Sequence, residues 1–343
     1  MLNGYYDEGQ AVIRIKTDLN HPNPSVRDWI AFRIVNPRKN PHPYLLNKYG
    51  ENYLERYWLW PTYNFSVSID DHLMGVTHIL RMKEHEVNAY KQKYIYDYFG
   101  WEYPTIINYG ALLVKDMPLH KSEIRKLISE GKISGWDDPF LPTLRGLKRR
   151  GISNEAIKKY IIEIGPNPVD VVVNWEKIYT YNREVYDKKA KRFFILRNPI
   201  KVIINDIKLP KEIKIKNHPE VDLGYREFKI NSNIVYIEKS DLNNKYLRLM
   251  EGFNISIIDI KEDHAVAEYL SDSYEDAKGL NAKIVQWVPE EYKMNVTIWE
   301  PNEKINGICE KYVFDLTKDG EVLHGIRYGF FKREKDHLIF MHK

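Results

Sequence analysis

The chain has 343 residues, 43% hydrophobic and 29% charged, a balance that excludes a disordered chain and at this length points to two or three domains. Its formal net charge is +4 and it holds one cysteine, Cys309, so a nucleic-acid partner is permitted, while a disulfide framework and a cysteine-rich zinc site are excluded. No apolar run approaches the roughly 20 residues that a membrane span needs, and MLNGYYDEGQ lacks the basic start and apolar core of a signal peptide; the expected location is cytoplasmic, with no membrane partner.

Along the chain, residues 10–35 alternate short apolar runs with turn signals such as HPNPS at 21–25. The stretch 57–70, YWLWPTYNFSVSID, predicts a strand, with period-2 alternation at Phe65, Val67 and Ile69. A helix is expected over 84–99, stopped by Gly100. Three shorter helices follow, capped by Ser122, Thr143 and Ser153 and ended by Gly131, Gly151 and Gly165. Two basic clusters stand out: Lys148, Arg149 and Arg150, then Lys188, Lys189, Lys191 and Arg192 directly before Phe193 and Phe194. A solvated face explains either cluster alone equally well. From about residue 193 the texture becomes β-branched and alternating, through NIVYIE, NISIIDI, KIVQWV and MNVTIW. Many short strands with turn signals predict barrels or sandwiches. The coarse plan is therefore α/β over 1–115, a small helical region over 116–192, and an all-β part over 193–343.

Three ordered motifs carry a functional signal: WPTYNFSVSIDDHLMGVTHILRMKEH, then LHKSEIRKLI, then SGWDDPFLPTLRGLKRRGI. Together they resemble the second half of the class I Rossmann-type catalytic domain of glutamyl- and glutaminyl-tRNA synthetases. The likeness extends upstream through RIKTDLNHPNPSVRDWIAFRI and downstream through NPVDVVVNWEKIYTYNRE. HPEVDLG and the closing GIRYGFFKRE are similar to the archaeal-type anticodon-binding β-barrels. The resemblance covers nearly the whole chain. It implies an ATP-dependent glutamate–tRNA ligase, with ATP as substrate together with Mg2+, glutamate and tRNA(Glu) as partners, and no zinc.

Residue by residue, the resemblance places Tyr63 and Arg81 at the amino-acid substrate. A guanidinium suits a side-chain carboxylate, which it can grip through two parallel hydrogen bonds, and the glutaminyl enzymes lack an arginine there. A site built on a charged pair discriminates on the order of 10⁴-fold against a ligand that leaves the charge unpaired. His85 is expected at the ATP and amino-acid pocket, and His78 reads as a structural residue. Pro118-Leu119-His120-Lys121-Ser122 matches the family's lysine-rich nucleotide loop, leaving Lys121 to stabilise charge on the ATP phosphates and Ser122 to face them. Lys148, Arg149, Arg150, Lys191 and Arg192 are expected to contact tRNA phosphates.

The departures matter as much. Pro118 and His120 stand where the loop usually has lysine and serine, and Phe140 where relatives carry arginine. One such charge contact is worth about 3 kcal/mol of transition-state stabilisation. Asp137 and Asp138 read as structural. The His-Ile-Gly-His element that opens such enzymes does not occur in this sequence. A separate polypeptide carrying that half is one expected partner. A paralogue that binds tRNA without charging it is the alternative to a ligase.

Overall fold

The computed structural model describes residues 1–343 apart from Asn3, Asp116 and Leu119. The chain divides into two compact units: residues 1–113 with 164–173, and residues 114–163 with 174–343.

The first unit is mixed α/β. Strands β1 (Val12–Arg14), β2 (Ile30–Ile34) and β3 (Leu59–Pro61) form an antiparallel sheet in that order. Helix α1 (Pro43–Tyr49) lies between β2 and β3 in the chain, and α2 (Tyr63–Leu73) follows β3. Then comes a parallel βαβ unit: β4 (His78–Met82), α3 (Glu86–Phe99) and β5 (Thr105–Tyr109), with Arg81 paired to Asn108. Two short strands, β6 (Leu112–Leu113) and β7 (Val171–Val172), pair in parallel. The buried cluster of Trp29, Ala31 and Ile95 packs against Phe32, Phe65, Ile69 and Trp101.

The strand predicted over 57–70 is shorter and gives way to α2, and the reason is physical. Phe65 and Ile69 satisfy period 2 but are also four residues apart, the spacing of one helix face. Pro61 and Thr62 end the strand; Thr62 is extended and donates its hydroxyl to the Ile30 carbonyl at 2.8 Å. The helical option lets Phe65 meet Phe32 at 4.5 Å between ring centroids and His72 stack on Trp101 at 3.7 Å. Helix α3 ends as expected: Gly100 is left-handed at φ 66°, while the Trp101 amide turns back to the Tyr96 carbonyl.

The second unit starts with helices α4 (Lys121–Ser129), α5 (Leu144–Arg150), α6 (Asn154–Ile164) and α7 (Trp175–Tyr186). Thr143 and Ser153 cap α5 and α6 as expected, accepting from the Gly146 and Ala156 amides at 3.0 Å each. Ser122 does not cap α4. The N-cap is His120, and Ser122 is the helix's second residue. The remainder is dominated by two seven-stranded sheets. One runs, in spatial order, Lys283–Val285, Tyr246–Leu249, Asn254–Ile260, His264–Ser271, Pro199–Asn205, Ile234–Glu238 and Trp287–Pro289. The other runs Arg192–Phe193, Val322–Gly325, Gly329–Glu334, His337–His342, Lys293–Trp299, Lys304–Glu310 and Ile195–Leu196. The short strands at 192–196 both belong to the second sheet, while Phe194 and Leu196 pack into the first sheet's core. An α/β part followed by a β-rich part thus agrees with the sequence reading.

Candidate active site

Arg81 lies near the C-terminal end of β4 and is buried, only 8% exposed. Its Nη2 donates to Gln92 Oε1 at 2.9 Å. Its Nη1 is buried and has no partner among the described residues. Gln92 is fully enclosed on the inner face of α3, one helical turn beyond Asn88. Gln92 Nε2 donates to Asn64 Oδ1 at 3.1 Å, and Asn64 Nδ2 donates to Asn88 Oδ1 at 3.1 Å. Asn88 Nδ2 then meets His85 Nδ1 at 3.3 Å. A polar chain therefore runs from a sequence-predicted substrate residue, Arg81, to a sequence-predicted pocket residue, His85.

The surroundings of Arg81 are polar but short of anions. Asp71 senses its charge: burial pushes the Asp71 carboxyl up, and Arg81 partly offsets this. Burial likewise pushes the Tyr103 hydroxyl up to about 12, again opposed by Arg81. Yet among the described residues no carboxylate forms an ion pair with the guanidinium. Nearby hydrogen-bonding capacity is also unspent, since Tyr96 Oη and Asn108 Oδ1 are buried without partners among the described residues. Such orphaned groups are uncommon in a native core and call for a partner such as a water or a ligand.

Tyr63 is the first residue of α2 and is 60% exposed. It lines a surface cleft with Val12, Ile30, Arg33, Pro61 and Thr62. Arg81 does not line that cleft; the two residues connect only through Asn64, which follows Tyr63 in the chain. Asn64, Asn88 and Gln92 were missed in the sequence reading. The legible signal was the i, i+4 pair of uncharged amides on α3, a helix whose inner face otherwise carries Ile95 and Tyr96.

Lys121 and Ser122 belong to the second unit, as the exposed first two residues of α4. The unbonded amides of such a helix start favour an anion. Leu119, within the nucleotide-loop match, lies outside the described residues. Lys148 is exposed, but its four companions are engaged within the fold. Arg149 grips Glu334 at 2.6 and 2.9 Å. Arg150 is 5% exposed and donates to the Met341 carbonyl between Phe140 and Tyr179. Lys191 donates to the Leu316 carbonyl at 2.6 Å, and Arg192 pairs with Asp187 at 3.1 Å. Phe140 thus faces the Arg150 guanidinium, 5.4 Å from its ring centroid.

Residues 1–188 match the family described as tRNA synthetases class I (E and Q), catalytic domain, and residues 190–275 match the anticodon-binding domain of the same class. The chain belongs to the class I glutamyl/glutaminyl tRNA synthetase family. It is 43% identical to a glutamate–tRNA ligase of Sulfolobus acidocaldarius, over 97% of this chain and 57% of that one. It is 44% identical to a glutamate–tRNA ligase of Nanoarchaeum equitans, over 99% of this chain and 61% of that one. With the Pyrococcus furiosus glutamate–tRNA ligase it shares 43% identity, over 98% and 58% respectively. The chain thus spans about 57–61% of the length of these relatives. The catalytic-domain match covers the mixed α/β unit and the helices up to residue 188, and the anticodon-binding match covers the β-rich part from residue 190 to 275. Among the described residues no helix is long and apolar enough to cross a membrane, and no cluster of three or more His, Cys, Asp or Glu could hold a metal ion.

Proposed function

We propose that this chain takes part in the ATP-dependent glutamylation of tRNA(Glu), supplying the glutamate side-chain pocket, the nucleotide loop and the tRNA-binding surface. One observation carries the choice of glutamate: a buried guanidinium at Arg81 that, among the described residues, has one arm unpartnered and no bonded carboxylate. A γ-carboxylate supplies the missing anion; a γ-carboxamide leaves the charge uncompensated. Tyr63 borders the amino acid and His85 the adjoining nucleotide. Lys121 and Ser122, with the start of α4, meet the phosphates of ATP, which arrives with Mg2+. Lys148 is the phosphate contact of the basic helix, held in place by Arg149 and Arg150. Lys191 and Arg192 belong to the same tRNA-facing assignment, and cytoplasmic work in translation follows from it. The functional division falls near 1–115, 116–192 and 193–343.

The β4–β5 pair supports a further part. Parallel sheets are ordinarily wide and covered on both faces, but among the described residues β4 and β5 pair only with each other, and Leu80 is 60% exposed. More polypeptide, in the same gene product or as a separate chain, completes this sheet. Pro118 and His120 in the loop favour the second reading, a tRNA-binding paralogue that does not charge.

The deciding experiment is a charging assay on tRNA(Glu), with and without a supplied N-terminal half, comparing wild type with Arg81→Ala. The ligase reading expects charging with the half supplied, and a rise in the glutamate KM far above any rise in the ATP KM for the variant. Equal effects on both substrates would remove the glutamate assignment. Absence of charging, with tRNA binding retained, selects the paralogue. In either case filter binding of tRNA to the chain should weaken steeply from 50 to 200 mM salt, by about 10³-fold for six phosphate contacts.

A further inference from the structure

Among the described residues, Arg81 has one side-chain hydrogen-bond partner, and it is an amide. We infer that Gln92 is a positioning and specificity-determining residue: it ties up Nη2 of Arg81, fixes the guanidinium plane, and keeps the pocket's positive charge intact for an incoming carboxylate. The inference rests on the proposed glutamate site at Arg81 and goes beyond it by assigning the residue that makes that arginine selective.

The donor and acceptor logic leaves Gln92 one orientation. Arginine has only donors, so the Gln92 oxygen must face Arg81, and its NH2 must point away. That NH2 is received by Asn64 Oδ1 at 3.1 Å. The Asn64 side chain is held in turn by its NH2, which goes to Asn88 Oδ1 at 3.1 Å, while its main-chain carbonyl accepts the Ser68 hydroxyl at 2.8 Å within α2. Every member is thus braced by α2 or α3, so the guanidinium cannot swing without breaking a buried chain. The network is satisfied at Gln92 and Asn64 and, among the described residues, open at Arg81 Nη1, so it holds one arm of the guanidinium and leaves the other without a partner.

The chemical identity of residue 92 also sets the charge. A glutamate there would differ from Gln92 by one proton-free oxygen in place of NH2. It would pair with Arg81 directly, cancel the charge that selects a carboxylate ligand, and strip Asn64 of its donor. A neutral amide satisfies Nη2 without competing for the charge. Asp71 senses the Arg81 charge but, among the described residues, makes no hydrogen bond to it.

The test compares binding of L-glutamate and L-glutamine, by saturation-transfer NMR and thermal shift, to the 343-residue chain as wild type, Arg81→Ala, Gln92→Glu and Gln92→Met. Far-UV circular dichroism and the melting transition establish that each variant is folded. Wild type should prefer glutamate, and Arg81→Ala should lose the preference. Gln92→Glu should lose it too, although Arg81 is still present, and Gln92→Met should weaken glutamate binding on the order of tenfold, the worth of a hydrogen bond to a charged group. If wild type prefers glutamate and Arg81→Ala does not, but both Gln92 variants stay within about twofold of wild type, the role of Gln92 is refuted and the Arg81 site stands. If wild type shows no preference, the glutamate site itself falls and this inference with it.

Discussion

Two buried arginines, one in each unit, show how differently this chain spends a positive charge. In the β-rich unit, Arg226 Nε donates to Glu310 Oε2 at 2.6 Å, both side chains being fully buried. Glu310 Oε1 accepts the Phe194 amide at 2.7 Å, and Arg226 Nη1 reaches Lys216 O and Asn217 Oδ1 at 3.3 Å each. In the α/β unit, Arg81 has an amide in place of a carboxylate and an idle Nη1. Among the described residues each arginine leaves one Nη without a partner, but of the two only Arg226 is hydrogen-bonded to a carboxylate. A guanidinium compensated from within is scaffold. One that is enclosed, braced and left uncompensated is poised for an anion from outside.

The largest effect should come from breaking the compensated pair. Glu310→Ala strands Arg226 in an apolar setting against Phe193 and Phe194, and removing one member of a buried pair costs about 3–5 kcal/mol. Urea denaturation should register that loss. A change below about 1 kcal/mol would mean that water reaches Arg226, and the contrast between the two arginines would weaken.

A second compensated site sharpens the comparison through pH. Asp241 is buried and receives Arg327 through two hydrogen bonds, at 2.8 and 2.9 Å, and Lys283 at 3.0 Å. Burial pushes its carboxyl up, but Arg327 and Lys283 outweigh that and hold it below the usual range. A depressed folded-state pKa gives stability that is complete above the unfolded value near 3.8 and is lost as pH falls through the folded one. Thermal unfolding from pH 6 downward should therefore show a drop below about pH 4 that is smaller in Asp241→Asn. An identical acid response in the two proteins would show that the triad adds nothing.

How much of this could be read from the sequence differs along the same line. The second unit's caps at Thr143 and Ser153 were legible because capping is local chemistry, set within three residues. Arg81 was legible as a site residue only through the resemblance, and its burial follows from β4 and α3 meeting, which no local pattern encodes. The start of α2 was misread because Phe65 and Ile69 fit both periods. The engagement of Arg149 by Glu334, across 185 positions, or of Arg150 by Met341, across 191, could not have been seen at all. Basic clusters look alike in sequence whether they face solvent or brace a fold, and only tertiary contacts separate Lys148 from its neighbours.

The smallest expected effect is the most telling. Arg81→Met keeps most of the buried volume and removes the charge. It leaves Gln92 Oε1 without its donor, a loss of about 1 kcal/mol. Against that, it relieves the desolvation of a cation that, among the described residues, no carboxylate hydrogen-bonds, a cost that in buried ion pairs can equal or exceed what the pairing returns. The two terms oppose each other, so stability by urea denaturation should change by no more than about 1 kcal/mol, far less than for Glu310→Ala. A loss of 3 kcal/mol or more would show that Arg81 is as structural as Arg226, because a group whose removal the fold cannot tolerate is already serving the fold rather than waiting for a ligand.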